Sequence, residues 1–192
     1  MRVIGLTGPS ASGKSTLAEA VRKAHGDSVI VQQDWYFRSP AECPPDANFC
    51  DLRWQFVHEF VSHVATLACG EPVEVPVVDF STFERCGSVV LAPPSLLIVE
   101  GMTILRISEL DEYLDDRFYI DIGIDVIAER KRSRDSRDRG KPTGVIETQL
   151  KWVVDEYHAD EEIRQRSNVT VISGAESLES QVRAVLAGQS QG

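Results

Sequence analysis

Near the start of the chain, Gly8-Pro9-Ser10-Ala11-Ser12-Gly13-Lys14-Ser15 sets two glycines around a short polar loop, immediately ahead of a lysine and a hydroxyl. That spacing suits phosphate binding. Glycines let successive backbone N–H groups converge on phosphate oxygens, and a helix opening after Gly13 adds the partial positive charge of its N-terminus. Lys14 can then reach the terminal phosphates, and the Ser15 hydroxyl can ligate Mg²⁺. Such a loop needs a strand before it and a helix after it, and both are legible. Val3–Leu6 is a short apolar run, and Lys14–Ala24 puts Leu17, Ala18, Val21 and Ala24 on one helical face. The ligand this pattern takes is a nucleoside triphosphate with Mg²⁺. A Gly/Ser turn before an ordinary helix is the alternative. Gly8, Ser10, Ala11, Ser12 and Gly13 supply the cradle. Thr16, beside the metal-ligand position, either extends it or packs the helix.

Two carboxylates stand where such a loop can use them. Asp34, in Gln32-Gln33-Asp34-Trp35-Tyr36-Phe37, follows a second apolar run, and Glu100 ends a third, Ser95-Leu96-Leu97-Ile98-Val99. In open α/β sheets the crevice lies at the carboxyl ends of the strands, so both would project toward the loop. Asp34 can orient or deprotonate an acceptor hydroxyl, against the alternative of a solvated or capping loop aspartate. Glu100, a charge at the mouth of a buried strand, is stabilised by Mg²⁺ or its water, or else by nearby backbone N–H groups. The span Glu129–Lys141 carries a net charge of +4 in a chain of −10, leaving −14 for the remainder. Its arginines read as a lid that closes over a triphosphate, with Arg134 and Arg139 the leading candidates, or as a solvated face held by ion pairs. A guanine-reading Asn-Lys-x-Asp stretch is absent. Phosphoryl transfer and a nucleotide-dependent switch both remain open on these residues, with Asp34 favouring transfer.

The elements that must position these groups alternate. Candidate strands Val3–Leu6, Val29–Val31, Leu96–Val99, Phe118–Ile122 and Val169–Ile172 are separated by helical patterns over Lys14–Ala24, Leu52–Ala68, Ala128–Arg137, Val145–Arg166 and Leu178–Leu186. That alternation predicts an α/β domain, a central parallel sheet flanked by helices in three layers. Pro72–Phe80 and Ser88–Leu91 break it and predict a small hairpin at the substrate mouth. The 192 residues suit one domain with one sizeable core. The net negative charge disfavours nucleic acid or an anionic membrane as partner. Four cysteines without a Cys-x-x-Cys pair suggest neither zinc nor a disulfide scaffold. No signal core or membrane-length apolar stretch is present, which predicts a cytoplasmic protein.

The loop, Gln33-Asp34-Trp35-Tyr36, Glu74-Val75-Pro76-Val77-Val78-Asp79-Phe80, Ile98-Val99-Glu100-Gly101 and Arg134-Asp135 through Arg139-Gly140 to Gln149 together resemble the uridine kinase and phosphoribulokinase-like branch of phosphate-loop kinases. Nicotinamide riboside kinases are similar relatives, although they usually lack the hairpin. The resemblance implies a doubly wound P-loop NTPase fold and transfer of the γ-phosphoryl of ATP to the 5′-hydroxyl of a ribonucleoside. It makes Asp34 the catalytic base, Glu100 the acidic residue near Mg²⁺, and Arg134 and Arg139 lid arginines beside Lys14. Phe37, Phe80, Phe83, Lys131, Lys141 and Gln149 would contact the acceptor. Asp51 resembles the ribose-holding aspartate apart from one extra residue, with Asp46 as substitute and a helix N-cap as the competing role. Val78 and Phe83 replace the Tyr and His that usually read the pyrimidine, and Lys141 stands where Arg is usual. The implied acceptor is uridine or cytidine, then nicotinamide riboside or another small hydroxyl metabolite. A non-catalytic nucleotide-binding regulatory module is the alternative of another class.

Overall fold

The computed structural model describes residues 1–80, 82, 84–137 and 139–188. Five strands, β1 (Arg2–Thr7), β2 (Ser28–Gln32), β5 (Leu96–Glu100), β6 (Asp116–Asp121) and β7 (Thr170–Ser173), form a parallel sheet in the order β2-β5-β1-β6-β7. β3 (Val73–Asp79) and β4 (Glu84–Leu91) form the separate antiparallel hairpin. Period-two alternation divides the core into two faces. Ile4, Leu6, Ile30, Leu96 and Ile98 pack with Leu17, Ala18 and Val21 of α1 (Lys14–His25) and Val185 of α6 (Leu178–Ala187). Val3, Val31, Leu97 and Val99 pack on the other side with Phe60, Val64 and Leu67 of α2 (Val57–Ala68) and with Ile104, Leu105 and Leu110 of two 3₁₀ turns. Every residue of β5 is buried, as expected for an inner parallel strand covered on both faces.

Two expected helices are interrupted. The pattern over Leu52–Ala68 is realised as a 3₁₀ turn, Leu52–Trp54, followed by extended backbone at Gln55 and then α2. Gln55 leaves the helix because it pairs with Phe37 in an isolated antiparallel bridge and its buried side chain accepts a hydrogen bond from Gln33 Nε2 at 2.6 Å. Val145–Arg166 becomes α4 (Thr143–Ala159) and α5 (Glu161–Arg164), parted at Asp160. The Asp160 carboxylate takes Arg106 Nη2 at 2.5 Å and the Tyr119 hydroxyl at 3.1 Å. In both places a buried tertiary hydrogen bond outweighs local periodicity. The lid helix α3 spans Ile124–Arg137, starting earlier than its polar sequence suggests.

β1 lies between β5 and β6, so consecutive crossovers leave it in opposite directions at its carboxyl end, where the glycine loop begins. Parallel register fixes what else arrives there. Leu6 is level with Glu100, and Glu100 with Gln32, two residues before Asp34.

Candidate active site

The loop is held open by its backbone. Gly8 adopts φ 145°, and a β-carbon there would sit 2.8 Å from the Ile120 carbonyl oxygen. Ala11 is left-handed at φ 70°, a conformation that costs a non-glycine residue about 1 kcal/mol and turns successive N–H groups inward. Lys14 is buried, while Ser15 and Thr16 are exposed and line the cleft. The Ser12 hydroxyl is buried without a hydrogen-bond partner among the described protein groups, and a donor so placed in the loop fits a phosphate oxygen.

Ser15 Oγ donates to Glu100 Oε1 at 2.9 Å. Burial raises the Glu100 carboxyl above the usual carboxylate range. Lys14 pulls it down, the charge of Asp34 raises it again, and the Ser15 hydrogen bond lowers it. The Ser15 hydroxyl at the cleft and the buried Glu100 carboxylate behind it, close enough to Asp34 to feel its charge, are hard oxygens that fit Mg²⁺. Asp34 is carried on a 3₁₀ turn, Gln33–Tyr36, whose first residue is locked. The Gln33 amide donates to Gln55 Oε1 at 2.6 Å and Thr103 Oγ1 at 2.7 Å, and accepts from Thr103 N at 3.1 Å. Gly101 makes room for it, since a β-carbon there would overlap the Gln33 side chain and lie 2.9 Å from its Cδ.

Two cavities meet at this floor. One, of about 610 Å³, runs from Ala11–Thr16 past Arg130, Arg134 and Arg139 to Gly174, Glu176, Leu178 and Gln181. The other, of about 320 Å³, shares Lys14, Ser15, Arg134 and Arg139 with the first and adds Asp34, Phe37, Phe80, Lys131, Lys141 and Gln149. Most of the expected site residues therefore converge. Phe83 lies outside the described residues. Asp51 does not line the cavity as a ribose contact would. It caps the Leu52–Trp54 turn through Arg53 N at 2.8 Å and pairs with the Arg53 guanidinium at 2.7 Å, and Asp46 pairs with the same guanidinium at 2.9 Å. Asp51 thus caps a short turn, and Asp51 and Asp46 share the Arg53 guanidinium. Val78, at a base-reading position of the resembled family, is buried and lies outside the cavity lining.

Residues 45–171 match a sequence model of the Phosphoribulokinase / Uridine kinase family. The chain belongs to that family. It is 31% identical over 194 residues to a uridine kinase of Leuconostoc citreum, covering 92% of this chain and 89% of that one. To a uridine kinase of Geobacillus kaustophilus it is 27% identical over 188 residues, covering 92% and 88%. Among solved structures, a putative fructose transport system kinase from Silicibacter sp. TM1040 superposes with a TM-score of 0.73 at 18% identity over 89% of both chains. A possible uridine kinase from Bacillus stearothermophilus gives 0.60 at 19% identity over 88% and 87%. Both share the fold. Membership decides between transfer and switching in favour of transfer: the chain is a P-loop kinase, a transferase of the nucleoside or small-molecule class. Among the described residues no helix is long and apolar enough to cross a membrane.

In this family member the basic lid divides. Arg130 Nη1 donates to Ser12 O and Arg134 Nη2 to Ser10 Oγ, each at 3.3 Å, so both reach over the loop. Arg132 turns away to Glu147 at 2.7 Å. The hub is Asp135, fully buried, with Lys131 and Arg134 each at 2.8 Å and Arg139 and Lys141 each at 3.7 Å. Sequence reasoning passed over Asp135 because its role appears only when the helix turn and the segment after it fold onto one carboxylate. Trp54 and Trp152, which the sequence leaves open between pocket lining and core packing, line the cavity together with Phe49, for which the sequence gives no signal. Helix amphipathicity gave Arg130 no distinction from its neighbours.

Burial by itself would raise the Asp135 carboxyl, but hydrogen bonds from Lys131 and Arg134 and their charges hold it at about 2. With the folded value below the ordinary one, the stability it contributes is complete above about pH 4 and is lost as pH falls toward the folded value. Asp135→Asn is expected to cost about 3 kcal/mol at neutral pH, because buried Lys131 loses its partner, and to flatten that acid limb. Denaturant unfolding at pH 7 and pH 3 checks both.

Proposed function

We propose that this kinase transfers the γ-phosphoryl group of ATP, with Mg²⁺, to the 5′-hydroxyl of a ribonucleoside, with uridine or cytidine ahead of nicotinamide riboside. One observation carries the reading: Asp34 stands on the wall of a cavity that opens directly onto Lys14, Ser15 and Arg134. The triphosphate would occupy the larger cleft, its terminal phosphate on the shared floor and its base toward Gly174–Gln181. Ser15 and Glu100 would hold Mg²⁺, which when bound neutralises charge on the β- and γ-phosphates. Asp34 orients the acceptor hydroxyl and takes its proton as the new P–O bond forms, the bond to the β-phosphate bridging oxygen breaks, and ADP leaves. Arg134, Lys14 and the loop N–H groups stabilise charge on the transferring group, and the lid excludes water.

Nicotinamide riboside stays as a second reading on a specific observation. The acceptor cavity is walled by Phe37, Phe49, Trp54, Phe80 and Trp152, and aromatic faces suit a positively charged planar ring. The test is γ-phosphate transfer from ATP to a panel of uridine, cytidine, nicotinamide riboside and small hydroxyl metabolites. A phosphorylated nucleoside is expected. ATP consumption yielding none rejects the acceptor class.

A further inference from the structure

We propose that Arg85 is a positioning residue for the acceptor, latching the β3–β4 hairpin to the cavity wall through Glu59 and the ring of Phe56. The inference rests on the reading that the cavity beside Asp34 receives the acceptor.

Among the described residues the hairpin brings one side chain to that cavity, Phe80, just past the end of β3 and half-exposed. The hairpin ladder contains only two strands, and β4 is exposed from Glu84 to Val90, so the main sheet does not fix its angle. Val73 and Leu91 pack its base against the core, and Val75 and Val78 are buried along β3. Near the tip, beyond a register shift between Val77 and Val78, Arg85 lies opposite Val78. From there its guanidinium reaches α2 and grips Glu59 with both nitrogens, Nη1 to Oε1 at 2.9 Å and Nη2 to Oε2 at 2.5 Å.

The same guanidinium lies over Phe56, with Cζ 4.8 Å from the ring centroid, and Arg38 lies over that ring at 4.2 Å. Phe56 and Arg38 are built into the fixed wall. Phe56 N donates to Tyr36 O and Arg38 N to Trp54 O, each at 2.8 Å, while Phe37 bridges Gln55. Phe37 and Trp54 themselves line the cavity. One junction therefore ties the movable wall, Phe80, to the fixed wall, Phe37 and Trp54. Its contacts are partly exposed, with Arg85 and Glu59 side chains at 40% and 32%, so the bond is strong enough to bias the hairpin and weak enough to release it for acceptor entry.

The experiment compares Arg85→Ala, Arg85→Lys, Glu59→Ala and the double alanine variant in steady-state kinetics and in hydrogen exchange of residues 73–91. Arg85→Ala is expected to raise the acceptor KM about tenfold, with kcat and the KM for ATP within about twofold of the parent. Arg85→Lys keeps the charge but loses the bidentate fork, so it should fall between. Glu59→Ala should weaken the acceptor similarly, with the double variant clearly less than additive. Hairpin amides should exchange faster in Arg85→Ala, whichever hydroxyl compound is the acceptor. An unchanged acceptor KM, or equal losses in kcat and ATP KM, overturns the latch. If the parent phosphorylates no compound in the panel, the functional reading fails, and the hairpin exchange then decides the latch by itself: unchanged exchange rejects it.

Discussion

Asp34→Asn lowers turnover by about 10²-fold or more while leaving ATP affinity within about twofold, measured as acceptor-dependent ADP release beside equilibrium nucleotide binding. The amide has nearly the shape of the carboxylate and keeps the 3₁₀ turn, whose geometry is set by Gln33 and its bonds to Gln55 and Thr103. What disappears is the capacity to accept the hydroxyl proton as the phosphoryl group arrives. Asp34 lines the acceptor cavity and is not among the residues lining the larger cleft, so the triphosphate keeps its own contacts. Turnover equal to the parent's would remove Asp34 from the mechanism.

Lys14→Ala is expected to be at least as damaging, lowering kcat/KM about 10³-fold and weakening ATP binding as well. Lys14 belongs to both cavities, is 8% exposed, and faces the buried Glu100, whose carboxyl it holds down. Its loss removes the cation closest to where charge develops and leaves two carboxylates without compensation, so metal and nucleotide binding should change together. Turnover assays with titrated Mg²⁺, paired with nucleotide binding, separate the two effects. Lys14→Arg is expected to recover little, because a planar fork does not fit the space of a point charge on a buried stem. Activity near the parent's in Lys14→Ala would mean that the loop binds its ligand without taking part in transfer.

The lid shows why spacing along a helix is not enough to assign a role. Arg130, Arg132 and Arg134 are close neighbours in sequence, yet Arg130 and Arg134 reach the loop and Arg132 pairs outward with Glu147. Periodicity could place them on different faces, but the face that meets the loop depends on how α3 packs on α4. Asp51 makes the same point. Resemblance places it at a ribose-holding position by its place in the chain, and only the folded chain shows its pairing with the Arg53 guanidinium and its hydrogen bond from Arg53 N.

From its sequence alone, the chain declares the glycine loop and its Lys and Ser, the strand–helix alternation, Asp34 and Glu100 at strand ends, and the hairpin. Each of these is encoded locally, by glycine spacing, by apolar period, or by a charge ending an apolar run. Tertiary structure decided the breaks at Gln55 and Asp160, the role of Asp135 as counter-ion to four cations, the aromatic acceptor wall and the Arg85 junction. All of these depend on groups far apart in the chain meeting where water is excluded, and pairwise energies at such meetings exceed the few tenths of a kcal/mol by which local preferences differ.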